Sequence, residues 1–150
     1  MIDMIDIRCR LGSVEVRDLV DQLEYPIGIR ERKTAEILEE YQEKSDQPIL
    51  AVKASGKLVA FIGLRLELQH QAVIRHIAVH RGHRGQGIGR RMILHVCGAY
   101  GLHMITAETD RGAVEFYRKV GFEAQSLGEK YPGTERFLCR LTRVGGKQKE

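Results

Sequence analysis

The sequence contains no tryptophan, only three prolines and three cysteines, and no run of about 18 consecutive apolar residues that could span a membrane. Its cysteines, Cys9, Cys97 and Cys139, form no C-x-x-C pair, so neither a disulfide framework nor a zinc ribbon is predicted. The first residues also lack the basic-then-apolar pattern of a signal peptide. We therefore expect a cytoplasmic, reducing setting and no membrane partner.

Acidic residues are absent between Leu68 and Ala107, although the net charge of the chain is only +4. The same segment contains all six histidines and the arginines Arg75, Arg81, Arg84, Arg90 and Arg91. Such a segment produces a positive local field that attracts a small polyanion, unless it is simply a solvated basic face. Duplex nucleic acid usually requires a more basic domain with a helical or aromatic reader, so no nucleic-acid partner is expected.

Length and pattern predict one mixed α/β domain. At 150 residues the chain can bury a substantial core, and we place a folded domain at residues 1–144 and a disordered tail at 145–150. Periodicity and capping signals predict the order strand, two helices, three strands, helix, strand, helix, two strands. Ser13 is the predicted N-cap of the first helix, Ile37 and Tyr41 lie four apart on one face of the second, and Gly121 is the predicted end of the last. In residue ranges, these elements are 5–9, 14–23, 34–43, 48–54, 57–68, 72–79, 87–100, 102–108, 110–120, 122–127 and 135–141.

The stretch RGHRGQGIGRRM, residues 81–92, combines four glycines with a dense positive charge. A Walker loop needs Lys and Ser or Thr after its second glycine, but Ile88 and Gly89 follow Gly87. A dinucleotide fingerprint G-x-G-x-x-G starting at Gly85 would need its third glycine where Arg90 stands. Both nucleotide-binding interpretations therefore fail.

What remains is a strand followed by R-G-Q-G-I-G, which leads directly into a helix. Gly85, Gly87 and Gly89 leave the backbone N–H groups of the first helical turn unobstructed, and these groups together with the helix dipole can bind a pyrophosphate. Arg84 and Arg90 can add charge-assisted hydrogen bonds to outlying phosphates.

Two segments resemble the signatures of the GNAT superfamily of N-acetyltransferases. VHRGHRGQGIGRRMI resembles the acyl-CoA signature Q/R-x-x-G-x-G/A, with Arg84, Gly87 and Gly89 at the matching positions. DRGAVEFYRKVGFE, residues 110–123, resembles the second signature N-x-x-A-x-x-F-Y-x-x-x-G-F, except that Asp110 replaces the usual Asn. Its matching residues are Ala113, Phe116, Tyr117, Gly121 and Phe122. The resemblance covers roughly residues 58–141.

The resemblance implies a mixed, mostly antiparallel, twisted sheet of six to seven strands flanked by about four helices. It also implies transfer of an acetyl group from acetyl-CoA, as cosubstrate, to a primary amine whose identity stays open. A non-catalytic acyl-CoA-binding or sensing module on the same fold is the alternative, and a homodimer is one state that the family allows. The implied cofactor-binding residues are Ile77, Ala78, Val79, Arg84, Gly85, Gln86, Gly87, Ile88, Gly89, Arg90, Asp110 and Phe116.

By the same resemblance, the backbone of residues 77–79 holds the pantetheine arm and donates to the oxyanion, and Tyr117 protonates the leaving thiolate. The alternative for Tyr117 is simple packing beside Phe116. Glu67 and His76 are both candidates for the base that deprotonates the acceptor; the alternatives are a charge on the solvent face for Glu67 and a satisfied core histidine for His76. The base therefore stays unassigned.

Two further features leave alternatives open. His76, His80 and His83 are close in sequence, but no carboxylate or cysteine accompanies them and the nearby arginines would repel a cation, so we expect no metal. An acidic run on the second predicted helix either favours a cationic acceptor or is a solvated helix face. It comprises Glu36, Glu39, Glu40 and Glu43.

Overall fold

The structure is a computed structural model that describes residues 3–23 and 30–142. In chain order its elements are β1 (Met4–Asp6), α1 (Val14–Val20), α2 (Arg30–Glu43), β2 (Ile49–Ala54), β3 (Lys57–Glu67), β4 (Gln71–Val79), α3 (Ile88–Ala99), β5 (Met104–Asp110), α4 (Val114–Val120), β6 (Glu123–Tyr131) and β7 (Thr134–Thr142). Short 3-10 turns lie at Arg8–Arg10 and Arg81–His83. The predicted order of strands and helices is confirmed.

The seven strands found in the described residues are arranged in the order β1-β2-β3-β4-β5-β7-β6. Strand β4 pairs with β5 in parallel, whereas the pairs β1–β2, β2–β3, β5–β7 and β6–β7 are antiparallel. The predicted mixed, mostly antiparallel sheet with four helices is therefore confirmed.

The first strand is shorter than predicted. It ends at Asp6, whose carboxylate Oδ1 accepts a hydrogen bond from the backbone N–H of Arg8 at 2.8 Å. The N–H of Arg10 then donates to the carbonyl of Ile7 at 2.9 Å, which closes a 3-10 turn. The prediction that the strand continues to Cys9 is wrong, because the Asp6 carboxylate hydrogen-bonds the following backbone into a turn and so ends the strand pairing.

The first helix begins where its cap predicts. Ser13 Oγ accepts from the N–H of Val16 at 3.2 Å, so the predicted N-cap is confirmed. The helix ends at Val20 rather than at the predicted Leu23. Beyond it, the N–H groups of Gln22 and Leu23 donate to the carbonyls of Leu19 and Val20 and form turns instead of helix.

Residues 1–65 and 75–93 form one compact unit. Its core consists of apolar side chains of α1 and α2 packed with residues of β2 and β3. Burying each such side chain completely stabilises the fold by about 1.5–3 kcal/mol. The buried members are Ile7, Leu11, Val16, Leu19, Val20, Ile37, Leu38, Tyr41, Ile49, Ala51, Leu58 and Phe61.

Residues 66–74 and 94–150 form a second compact unit. In its described part β5, β7 and β6 pair in antiparallel fashion, and α4 ends at Gly121, whose φ of 119° lies in the left-handed region. The buried apolar residues of this unit include Val96, Leu102, Ile105, Val114, Val120, Phe122, Phe137 and Leu141.

Gly63 provides space rather than conformational freedom. It lies inside the central strand β3, where a glycine normally weakens a sheet, and its φ is not positive. A methyl group at this position would collide with the hydroxyl end of the fully buried Tyr41 ring. The position is therefore restricted to glycine as long as Tyr41 occupies its present place.

We predict that Gly63→Ala lowers the free energy of unfolding by about 1–3 kcal/mol, the cost of overpacking a core. Gly98→Ala is the matched control, because a methyl group at this exposed helical position meets no atom within 4 Å. The free energy of unfolding of this control should rise by about 0.5–1 kcal/mol. Urea unfolding of the two variants measures the difference, and an equal effect in both would contradict the steric assignment.

Candidate functional site

The end of β4 carries Ile77, Ala78 and Val79, all partly buried. The parallel register with β5 runs from Gln71 to Val73, so these three residues lie beyond it. On the other side, the N–H of His80 donates to the carbonyl of Val59 in β3 at 2.7 Å. Main-chain groups at the end of β4 that this parallel ladder does not use are suited to bind an extended, amide-containing ligand.

A compact turn connects β4 to the glycine loop. The N–H of His83 donates to the carbonyl of His80 at 2.8 Å, and His80 Nδ1 accepts from the N–H of Gly82 at 3.1 Å. Arg84 then reaches back, and its Nε donates to the carbonyl of Val79 at 2.9 Å. Arg84 therefore ties the loop to the end of β4 while its guanidinium stays exposed.

Gly85 and Gly87 adopt φ values of 80° and 77°, which side chains rarely tolerate. A methyl group built at either glycine would have no atom within 4 Å, so the backbone here faces open space. Gln86 lies between them, and its carbonyl accepts from Arg91 at 3.3 Å. Glycine is needed here for backbone conformation, and the main chain of this segment is left open.

Helix α3 follows immediately. The carbonyl of Gly87 accepts from the N–H of Arg91 at 3.1 Å, which is the first bond of the helix. The N–H groups of Ile88, Gly89 and Arg90 therefore belong to the first turn, where no intrahelical acceptor exists. Ile88 is buried and Arg90 is exposed. Bare N–H groups, two open glycines and a segment free of acidic residues fit a pyrophosphate.

Asp110, at the end of β5, occupies the position where the resemblance implies Asn. Its Oδ1 accepts from the N–H groups of Gly112 and Ala113, at 2.9 and 3.2 Å. The predicted helix start at Asp110 is displaced: the carboxylate caps the preceding turn, and α4 begins at Val114. An Asn side chain carries an equivalent oxygen, so the change to Asp preserves this capping role.

Tyr117 lies on α4 and is only 5% exposed. Its ring meets Phe116 and Phe122 edge to face, with centroids 5.1 and 5.2 Å apart. Burial, with a smaller contribution from the Cys139 thiol, raises the pKa of Tyr117 above its ordinary value. Tyr117 is therefore protonated at neutral pH and is held in one orientation by its aromatic neighbours, whereas Phe116 is 36% exposed.

Of the two candidates for the base, His76 has the more distinctive surroundings. Its Nδ1 lies 2.6 Å from the hydroxyl of Tyr41, and the neighbouring Arg75 forms an ion pair with Glu40 at 3.3 Å. Burial, assisted by the charge of Arg75 and opposed by Glu40, lowers the pKa of His76 to about 4. His76 is therefore neutral at physiological pH, whereas Glu67 is an exposed residue at the end of β3.

Sequence reasoning did not find the Tyr41–His76 pair. Tyr41 and His76 are 35 positions apart in the chain, and periodicity assigned Tyr41 only to an apolar helix face. The available signal was Gly63, a glycine inside an otherwise apolar strand, which often marks a close approach by another group.

Two remaining expectations concern metals and membranes. Within residues 3–23 and 30–142, no three histidine, cysteine, aspartate or glutamate side chains gather as metal ligands would. His80 serves as a cap, and its ring lies edge to face with that of His83 at 6.0 Å. Among the helices that the structure describes, none has both the length and the apolar character needed to cross a bilayer.

Comparison with known families identifies the fold. The model of the acetyltransferase (GNAT) family matches residues 15–122, which is well over half of the chain and includes both signatures. The chain therefore belongs to the GNAT acetyltransferase family.

Individual relatives share parts of the chain. Streptothricin acetyltransferase of Streptomyces lavendulae is 31% identical over 103 residues, which cover 63% of this chain and 54% of the relative. The chain spans about half the length of the curated relatives it matches. A candidate streptothricin acetyltransferase from Bacillus anthracis, solved with acetyl-CoA, is 25% identical with a TM-score of 0.62, covering 71% of this chain and 68% of that one.

An aminoglycoside 6'-N-acetyltransferase solved with coenzyme A has a TM-score of 0.74 over 99% of both chains. At 15% identity, this likeness supports the fold alone.

The capping role of Asp110 leads to a stability prediction. Asp110→Ala should lower the free energy of unfolding by about 1 kcal/mol, because the N–H groups of Gly112 and Ala113 lose their acceptor. Asp110→Asn should stay within about 0.5 kcal/mol of the parent protein, because its side-chain oxygen can still accept. Chemical denaturation of the three proteins measures this, and equal losses in both variants would show that the carboxylate charge matters more than the cap.

The low pKa of His76 makes folding sensitive to acid. Between about pH 6.5 and 4 the unfolded chain binds a proton at this ring that the folded protein does not, so stability falls as the pH falls. At pH 4.5 the loss relative to pH 7 should be on the order of 2 kcal/mol.

Urea unfolding of His76→Gln at both pH values should show a smaller acid loss than the parent protein. His95→Gln controls for removal of an exposed histidine. An unchanged acid dependence in His76→Gln would contradict a neutral, buried His76.

Proposed function

We propose that this chain is an N-acetyltransferase that moves an acetyl group from acetyl-CoA directly to a primary amine. The observation that carries the proposal is the family match across residues 15–122 together with the open, glycine-lined start of α3. The streptothricin acetyltransferase relative and the related structure solved with acetyl-CoA support both the cofactor and the reaction. Because the cysteines Cys9, Cys97 and Cys139 are free, we also propose a cytoplasmic setting.

The glycine loop is the part of the chain that suits the diphosphate of CoA. Gly85, Gln86 and Gly87 contribute main chain without obstruction, and Ile88 to Arg90 contribute the first N–H groups of α3. Arg84 and Arg90 supply positive charge at the exposed rim. Ile77, Ala78 and Val79 offer main-chain groups to the amides of the pantetheine arm, and one of their N–H groups stabilises the charge that develops on the acetyl oxygen.

Acetyl-CoA supplies the acetyl group as a thioester. The amine nitrogen forms the new C–N bond with its lone pair while the C–S bond breaks, and the electron pair of that bond leaves on sulfur. The nitrogen loses a proton and the thiolate gains one, so charge is balanced overall. An alkylammonium has a pKa of about 10, so the acceptor must lose its proton before it can attack.

Tyr117 is our choice for the group that protonates the thiolate. The aromatic contacts of Tyr117 with Phe116 and Phe122 fix its ring, and its raised pKa keeps the phenol protonated at every physiological pH. We also assign Asp110 and Phe116, which flank the second signature, to the cofactor side of the site. These roles follow from the family motif.

The exposed Glu36, Glu39 and Glu43 of helix α2 would favour a cationic acceptor, although Glu36 is paired with Lys33 and Glu40 with Arg75. A panel of amines must therefore include polycations as well as oxygen-bearing amines.

The test combines cofactor binding with turnover. Calorimetric titration with CoA should give a saturable signal, and a thiol reagent should then detect CoA released with at least one of cadaverine, lysinamide, glucosamine or an alanine-terminated peptide. Because Cys9 is an exposed free thiol, protein without amine is the necessary blank. Absence of CoA binding would contradict the proposal, and tight binding without turnover would favour the non-catalytic sensing module.

Tyr117→Phe should lower kcat by about 100-fold and leave CoA binding unchanged, since only the proton donor is removed. Tyr100→Phe is the matched control, a phenol removed outside both signatures. If Tyr117→Phe keeps the activity of the parent protein, Tyr117 is a packing residue and not the proton donor.

A further inference from the structure

His76, the residue of β4 next to the proposed pantetheine site, is in contact with the hydroxyl of a buried tyrosine, Tyr41. His76 directly precedes Ile77, so its Cα lies about 3.3 Å along β4 from the segment proposed to hold the arm. The ring is only partly buried, and its Nδ1 faces the Tyr41 hydroxyl, which belongs to a fully buried residue. Nδ1 is therefore engaged inside the protein, and Nε2 is not among the buried side-chain atoms that lack a hydrogen-bond partner in the described residues.

The partner of Nδ1 decides which ring nitrogen carries the proton. A phenol O–H is a stronger donor than a neutral imidazole N–H, and an imidazole nitrogen is a stronger acceptor than a phenol oxygen. The short 2.6 Å contact is thus best satisfied when Tyr41 donates to Nδ1 of His76. In a neutral ring the single proton then lies on Nε2.

The chain makes room for this contact at a structural cost. The Tyr41 hydroxyl occupies the space above the main chain of Gly63, where any larger residue would displace it. A glycine inside a central strand weakens a fold, and a buried phenol does so unless its hydroxyl is hydrogen-bonded. Their coincidence beside His76 points to a positioning function rather than to packing alone.

Burial keeps His76 neutral, and the two charged groups near it, Arg75 and Glu40, shift its pKa in opposite directions. Arg75 precedes it on β4, and Glu40 precedes Tyr41 on α2; the two are paired at 3.3 Å, so neither brings an uncompensated charge. Tyr41 and Glu40 face the ring from α2, and Arg75 faces it from β4. A ring in these surroundings is a poor proton acceptor, which weakens its candidacy for the base.

We propose that His76 acts in the transfer as a neutral hydrogen-bond donor, presenting Nε2–H to an oxygen of the reacting pair, and that Tyr41 is the positioning residue that fixes this tautomer. The inference rests on the proposed acetyl transfer. The oxygen is that of the acetyl carbonyl or one carried by the acceptor near its amine. Both sources share the same chemistry, an uncharged or partly negative oxygen that accepts from an N–H.

The tautomer can be measured without any substrate. Long-range ¹H–¹⁵N correlation spectra of the full chain, with His76 assigned by its absence in His76→Gln, should show one neutral Nε2–H ring between pH 6 and 8. In Tyr41→Phe the ring should become a mixture of tautomers. A charged ring at pH 6.5, or an Nδ1–H tautomer in the parent protein, would overturn the proposal whether or not acetyl transfer occurs.

Kinetics then separate a donor from a base. The amide nitrogen of Gln occupies the place of Nε2, so His76→Gln should keep kcat/KM within about threefold, whereas His76→Ala should lose about tenfold, the value of one hydrogen bond. Equal losses in both variants, with the acidic limb of the pH–rate profile removed, would identify His76 as the base. No loss in either variant would exclude a role in transfer.

Two matched amines distinguish the sources of the oxygen, because lysinamide is cadaverine with an added carboxamide. If His76→Ala lowers kcat for both amines, the partner is the acetyl oxygen. If it raises KM for lysinamide and leaves cadaverine unchanged, the partner is an oxygen of the acceptor. CoA affinity, measured by calorimetry, should stay unchanged in all these variants.

Discussion

The hydroxyl of Tyr41 contacts both the main chain of Gly63 and the ring of His76. This contact restricts how helix α2 packs on the strands of the unit formed by residues 1–65 and 75–93. It fixes the distance of helix α2 from strand β3, because the phenol fits only where no side chain intervenes. It also orients His76 at the point where β4 approaches its glycine loop. Apolar packing around Ile37, Leu38 and Phe61 supplies most of the stability, and this one polar contact specifies which arrangement that packing adopts.

The loop after β4 illustrates a division of labour among basic residues. Arg84 binds the carbonyl of Val79 and Arg91 binds the carbonyl of Gln86, so two arginines of the acid-free segment hold main chain as well as contribute charge. Arg90 is exposed at the start of α3, and its side chain binds no main-chain carbonyl among the described residues. Charge density in a sequence therefore overstates the number of residues that are free to meet a ligand.

Local chemistry made much of the fold predictable. The glycine loop, the Ser13 cap and the Gly121 terminus are each encoded within a few residues, and the structure confirms the cap, the terminus and the order of elements. The second signature is also local, which is why its helix could be placed although its start at Asp110 was displaced by a capped turn. Strand β1 was predicted too long because one side-chain oxygen of Asp6 competes with the ladder.

The candidate site was predicted less completely, because part of it depends on tertiary contacts. No periodicity connects Tyr41 to His76, and whether a histidine is a base or a donor depends on the partner of its other nitrogen. The roles of Tyr117 and of the glycine loop depend on bound groups as well as on the folded chain.

Positions 41 and 63 also limit how this sequence can change over time. A methyl group at position 63 would meet not only the hydroxyl of Tyr41 but also Cζ and Cε1 of its ring, so it is incompatible with phenylalanine as well as with tyrosine at position 41. Of the two orders in which both positions could drift, only the one that replaces the aromatic ring first avoids a clashing intermediate. The pair is therefore an epistatic ratchet: once a larger residue enters β3, the tyrosine cannot return without reversing that change, and the orientation of His76 is lost with it.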